Sequence, residues 1–152
     1  MDKLDDFVNN LQEEIFEEAR QSFGEKGFHR WRNPRFSGRM TEPQAHGCVT
    51  GTCGDTMEIF FKFKNNRVQK GSYMTNGCAS SGISGSFAIE LSIGKTLEEL
   101  ADINGNDVLK KIGRLPDEEK HCAFLAADTI HDAVTDYMNK AKESNKHKKD
   151  EP

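Results

Sequence analysis

The sequence predicts helices around one antiparallel strand hairpin, and three observations predict it. A strand-period hairpin lies mid-chain, a long helix-period stripe occupies each end, and no internal repeat replaces this order. The 152 residues suit one domain, placed at residues 1–140 with residues 1–24 as an acidic N-terminal helix; residues 141–152, polar and lysine-rich, are expected to be a disordered tail.

Leu4, Phe7, Val8, Leu11, Ile15 and Ala19 recur at helical spacing, while Asp5, Asp6, Glu13, Glu14, Glu17 and Glu18 mostly fill the wet side. Gly24 and Gly27 are expected to end this helix. A basic connector follows, with Arg30, Arg32, Arg35 and Arg39 and no acid between Lys26 and Met40. Met57, Ile59, Phe61 and Phe63 then alternate with Glu58, Phe60, Lys62 and Lys64, the period of a strand with one buried face. Asn65-Asn66 turns the chain, and residues 67–75 return antiparallel, delivering Gly77 and Cys78 to the strand end.

Ser80 and Ser81 are candidate N-caps for a run to Ile93 that Gly82 and Gly85 interrupt. Composition alone favours a loop there, and only tertiary packing would hold a helix. Thr96-Leu97-Glu98-Glu99 has the capping-box pattern, in which each end residue satisfies the other's free amide, so a helix starts there and Asn104-Gly105 is expected to stop it. Residues 107–112 make a short helical piece closed by Gly113. Leu115-Pro116-Asp117-Glu118-Glu119 reads as the start of the last helix, with Pro where no amide donor is needed and acids at the positive end of the dipole. Ala123, Ala126, Ile130, Ala133, Val134, Tyr137 and Met138 carry its apolar stripe.

Hydrophobic residues at 35% and charged residues at 30% exclude full disorder, and a net charge of -4 is too mild and too mixed for a nucleic-acid binder. The longest uncharged run, residues 71–89, is built largely from Gly, Ser, Thr and Asn and cannot partition into lipid, so no membrane role is expected. The N-terminus shows neither a basic-then-apolar leader nor an Arg-rich presequence, and the expected location is cytoplasmic. Four cysteines are too few for a disulfide scaffold in a chain this long; in a reducing compartment they remain free, reactive or metal-bound.

Cys48, Cys53, Cys78 and Cys122 include no Cys-x-x-Cys pair, so any joint site must be assembled by folding. The hairpin does part of this, because Cys53 precedes its first strand, Cys78 follows its second, and those two ends meet. Cys122 joins them if the last helix packs on the sheet. Asp55 places a carboxylate two residues from Cys53, and His121 places an imidazole beside Cys122. Gly77-Cys78-Ala79-Ser80-Ser81 sits at a helix mouth, where free amides favour thiolate or sulfide. Three soft sulfurs with one harder oxygen or nitrogen suit iron-sulfur chemistry or zinc, and hold a cluster less permanently than four thiolates. Singly each signal is weak, since a lone cysteine is more often a small buried hydrophobe, Asp55 a turn acid and His121 a surface group. The residues leave open a structural zinc domain and a thiol sulfurtransferase using Cys122 beside His121. Cys48 reads equally as a fourth thiolate, a sulfur relay or bystander packing.

Together, Cys53-Gly54-Asp55, Gly77-Cys78-Ala79-Ser80-Ser81 with Ser84 and Ser86, and His121-Cys122 resemble the U-type iron-sulfur cluster assembly scaffold family, IscU and the N-terminal domain of NifU. Trp31-Arg32-Asn33-Pro34-Arg35-Phe36-Ser37-Gly38 is similar to that family's aromatic-x-Asn-Pro-Arg-x-x-Gly segment, and Gly94-Lys95-Thr96-Leu97-Glu98-Glu99 to its Gly-Lys-Thr-x-x-Glu helix start. The resemblance spans roughly residues 28–140. It implies an α+β fold, a small three-stranded antiparallel sheet with helices packed on one face and the cysteines gathered at one end. It also implies a scaffold rather than an enzyme, one that takes sulfur as persulfide from a cysteine desulfurase, takes up iron, builds a transient 2Fe-2S cluster and passes it to apo-proteins. By position, Cys53, Cys78 and Cys122 would be thiolate ligands, Asp55 the carboxylate whose weaker iron bond eases release, His121 an alternative ligand, and Cys122 the first persulfide acceptor. Zinc can occupy such a pocket, and a zinc-binding sulfurtransferase-type partner of a cysteine desulfurase is the alternative reading. The family's chaperone-recognition segment reads Leu-Pro-Pro-Val-Lys, whereas this chain has Leu115-Pro116-Asp117-Glu118-Glu119; acids in place of a neutral-to-basic patch argue against that chaperone. A homodimer around a cluster is left open.

Overall fold

Strand periodicity at residues 57–64 yields the hairpin it predicts. The computed structural model describes the backbone of residues 2–150 and the side chains of residues 2–145. Strand β2 (Thr56–Lys64) pairs antiparallel with β3 (Arg67–Thr75), with Ile59 opposite Tyr73 and Phe61 opposite Gly71. Asn65 and Asn66 both take positive φ, 54° and 65°, the backbone that a two-residue hairpin turn needs to match strand twist. Met57, Ile59 and Phe61 are fully buried on one face. The third strand, β1 (Ala45–Thr50), pairs antiparallel with β2, giving the order β1-β2-β3.

Two helices cover that face, α2 (Ala79–Ser92) against β3 and α5 (His121–Asp150) against β1 and β2. The β1–α5 contact is unusually close. A Cβ on Gly47 would run into the Thr129 carbonyl oxygen and lie 2.7 Å from the Ala133 nitrogen, so only glycine fits. The outward amides of His46 and Cys48 donate to Asp136 Oδ2 and Asp132 Oδ2, each at 2.9 Å. Two carboxylates one helical turn apart thus satisfy the edge of β1, which would otherwise be open to pairing with another chain.

Several elements depart from their sequence expectation. The run after Cys78 is a fourteen-residue helix and not a loop, and its N-cap is Cys78, with no side-chain cap bond, in place of Ser80 or Ser81. Its small residues let it sink into the fold: a Cβ on Gly85 would lie 2.7 Å from the Tyr73 ring. The first segment of helix α1 (Lys3–Arg32) ends at Gly24 as expected, but a second segment runs on through Gly27 to Arg32. Gly24 breaks it with φ 72° and ψ 177°, but the helix resumes because Phe28 is buried and Arg30 reaches Glu90 of α2 at 2.7 Å while stacking on Phe87 at 4.0 Å. Glu90 also binds Arg35 and Lys111, so one carboxylate joins three segments.

Helix α3 (Leu97–Ala101) carries the expected capping box at Thr96 and Glu99. Asn104 does not merely stop it; with Asp107 it forms a second capping box that opens α4 (Gly105–Ile112), closed by Gly113 at φ 94°. The last helix begins at His121, six residues beyond Leu115, after a single 3-10 turn at Asp117–Glu119. Residues 141–150, expected as a disordered tail, are helical, since no Gly or Pro interrupts α5; Glu151 and Pro152 lie outside the described residues. Among the described residues no helix is long and apolar enough to cross a membrane.

Candidate metal centre

The centre forms where the hairpin ends meet the mouths of α2 and α5. Thr56 N donates to Asn76 Oδ1 at 2.8 Å, and Thr75 Oγ1 donates to the Thr56 carbonyl at 2.9 Å, which stitches the start of β2 to the end of β3. Cys53 occupies the β1–β2 turn, which closes through Gly51 N to the Asp55 carbonyl (2.8 Å) and Gly54 N to the Gly51 carbonyl (3.0 Å), with Gly54 at φ 90°. Asp55 leads into β2, Cys78 caps α2, and His121 and Cys122 are the first residues of α5.

All five expected donors converge. Cys53, Asp55 and His121 have ligand atoms within 4.8 Å of one another, and so do Asp55, Cys78 and Cys122. Asp55 belongs to both groups, so one carboxylate joins two sets of donors. Cys48 belongs to neither; it lies opposite Glu58 on β1, and burial followed by the charges of Glu58 and Asp132 pushes its thiol up.

Access differs sharply across the centre. Cys53, Cys78 and His121 are exposed and Asp55 is half-buried, whereas Cys122 is 0% exposed. Burial pushes the Cys122 thiol up to about 11; the Ser81 hydroxyl opposes this, and nearby Cys78, Asp55 and Cys53 add to it. The residue expected to accept sulfur first is therefore the one solvent reaches least. Its sulfur lies 3.7 Å from His121 Nε2.

Two polar residues not expected among the donors, Ser81 and Glu119, belong to the centre. Ser81, fully buried, has its Oγ 3.2 Å from Asp55 Oδ2 and 3.3 Å from Cys122 Sγ. One hydroxyl proton serves one of them at a time, so Ser81 positions carboxylate and thiol relative to each other. Gly77 keeps this arrangement clear, because a Cβ there would lie 2.5 Å from Ser81 Oγ and 2.8 Å from Asp55 Oδ2. Glu119 accepts from Ser80 Oγ at 2.6 Å and approaches Cys78 Sγ at 3.9 Å. The legible signal for both was proximity in sequence to a cysteine or to His121.

Residues 22–144 match the family described as the NifU-like N terminal domain. The iron-sulfur cluster assembly scaffold protein IscU 1 of Archaeoglobus fulgidus is 37% identical over 119 residues, 78% of this chain and 78% of that protein. The scaffold protein IscU of Buchnera aphidicola is 34% identical over 126 residues, 80% of this chain and 99% of that protein. In fold, the chain is similar to the crystal structure of a NifU-like protein (N-terminal) from Brucella abortus, with a TM-score of 0.61 at 21% identity, covering 80% of this chain and 97% of that one.

Proposed function

Because this chain belongs to the NifU-like N-terminal domain family, we propose that it is a scaffold on which iron-sulfur clusters are assembled and from which they are passed to apo-proteins. The observation that carries this reading is the pair of donor groups sharing Asp55. Cys53, Cys78 and Cys122 are the proposed thiolate ligands of a transient 2Fe-2S cargo, and Asp55 is the oxygen ligand whose weaker hold on iron lets the cluster leave. His121 stands ready as an alternative ligand. A cysteine desulfurase supplies the sulfur, and the cytoplasm, a reducing compartment, keeps such thiols open. Zinc competes for the same donors.

In the sulfur step, a thiolate of this chain attacks the terminal sulfur of the donor persulfide; the donor S–S bond breaks as the new one forms, and the donor leaves as a thiolate. Exposure favours Cys53 and Cys78 as points of contact. Transfer to Cys122 requires the centre to open around a fully buried sulfur. That burial also weighs against Cys122 acting alone as the nucleophile of a sulfurtransferase. The acids of residues 117–119 disfavour a chaperone that reads a neutral-to-basic segment.

Anaerobic incubation with ferrous iron, cysteine, a desulfurase and a reductant should give a brown protein with sulfur-to-iron charge-transfer absorption and acid-labile sulfide. Asp55→Ala should retain the cluster longer when an apo-ferredoxin is offered. A protein that stays colourless and unfolds when zinc is chelated would overturn the scaffold reading in favour of a structural zinc domain.

A further inference from the structure

The proposed ligands leave one carboxylate at the rim of the centre without a role. Glu119 ends the 3-10 turn, two residues before His121, and its side chain turns inward while Asp117 and Glu118 stay exposed. Its two oxygens are differently engaged. Ser80, 1% exposed, donates to Oε2 at 2.6 Å and fixes the carboxylate, while Oε1 lies 3.9 Å from Cys78 Sγ. Asp117 is paired with Lys120 at 2.8 Å, but Glu119 takes part in no ion pair among the described residues. Asp55 also has an oxygen within 4.8 Å of Cys78 Sγ, so that sulfur has two carboxylate neighbours.

A ferrous ion accepts both thiolate and carboxylate donors, and a carboxylate already held in place loses little freedom on binding it. We infer that Glu119 is an additional oxygen ligand of this centre, holding an incoming divalent cation together with Cys78 before it moves inward to Asp55. The inference rests on the scaffold reading, which makes Cys78 a metal ligand.

Cobalt(II) titrated anaerobically into the metal-free full chain is the test. Thiolate-to-cobalt charge transfer counts bound sulfur, and the visible ligand-field bands report the remaining donors. Glu119→Gln is nearly isosteric and keeps an oxygen acceptor for Ser80, so it should leave the metal-free melting temperature unchanged. It should weaken cobalt binding about tenfold and shift the ligand-field bands, with charge-transfer intensity at saturation preserved. Glu119→Lys should weaken binding further, and Glu119→Asp should recover part of the loss. Wild-type affinity and spectrum in Glu119→Gln would overturn the inference while leaving the scaffold reading intact. Absence of thiolate charge transfer in the wild-type protein would overturn both.

Discussion

Helices α1 and α2 stand in opposite relation to their sequences. The first part of α1 carries a helix-period apolar stripe, yet Leu4 and Phe7 are 64% and 63% exposed, and Val8, Leu11 and Ile15 are exposed as well. Helix α2 is interrupted by Gly82 and Gly85 and is rich in serine, yet Ile83, Phe87 and Ile89 are buried with five of its serines. An amphipathic stripe shows that a face is available for burial, not that this fold buries it. Small residues allow a helix to approach a sheet and three other helices at once, and periodicity does not register that. Most of the hydroxyls find partners, as where Ser92 Oγ donates to the Ala88 carbonyl and Ser86 Oγ to the Arg35 carbonyl, both at 2.7 Å, whereas the buried Ser84 Oγ has none among the described residues. The candidate centre sits at the mouth of α2, so its geometry depends on the helix that is hardest to read.

The contrast can be broken most directly at Gly85. Gly85→Val forces a branched side chain into the Tyr73 ring and should cost about 3 kcal/mol in urea unfolding, despite improving local helix propensity. A neutral result would mean that α2 is not held by close packing. Next in size is the difference between the two thiols at the helix mouths. Iodoacetamide at about pH 8 should alkylate Cys78 roughly a hundredfold faster than Cys122, as read by peptide mass mapping, because Cys122 is buried and its thiol is pushed up to about 11. Equal rates would show that the centre is open.

A smaller effect concerns the seam between the two helices. Burial pushes the Glu90 carboxyl up, but the Arg30 guanidinium, with Lys111, outweighs it and holds the group below its ordinary value. A lowered folded-state value means stability that is present above the ordinary glutamate range and lost as pH falls through the folded value. Acidification below about 4.3 should therefore loosen the segment of α1 after Gly24, and the single tryptophan, Trp31, reports it by fluorescence. Glu90→Gln should abolish that acid transition. The smallest change is expected from Leu11→Ala, within about 0.5 kcal/mol, because its side chain is already exposed. A loss comparable to that of Gly85→Val would reveal a burial of α1 that the isolated chain does not display.

Local chemistry was enough for the hairpin, where alternation from Met57 and two asparagines able to take positive φ leave little choice, and for the cap at Thr96. It was also enough to nominate the donors, since Cys53, Asp55, Cys78, His121 and Cys122 do meet. It could not disclose β1 from residue pattern, because that strand is short, contains Gly47 and depends on carboxylates 84 and 90 residues away. The resumption of α1 beyond Gly24 likewise depends on Glu90, 60 residues from Arg30.

Side-chain type and near-neighbour spacing thus determined the β2–β3 hairpin and the capped start at Thr96 and marked the candidate donors, because those properties act over one or two turns of chain. Packing alone decided that Ser81 lies between Asp55 and Cys122, that Glu119 faces Cys78, and that Cys122 is the sulfur shut away from water. These contacts bridge 26 to 41 residues, and over such distances position follows from how helices and sheet fill space together.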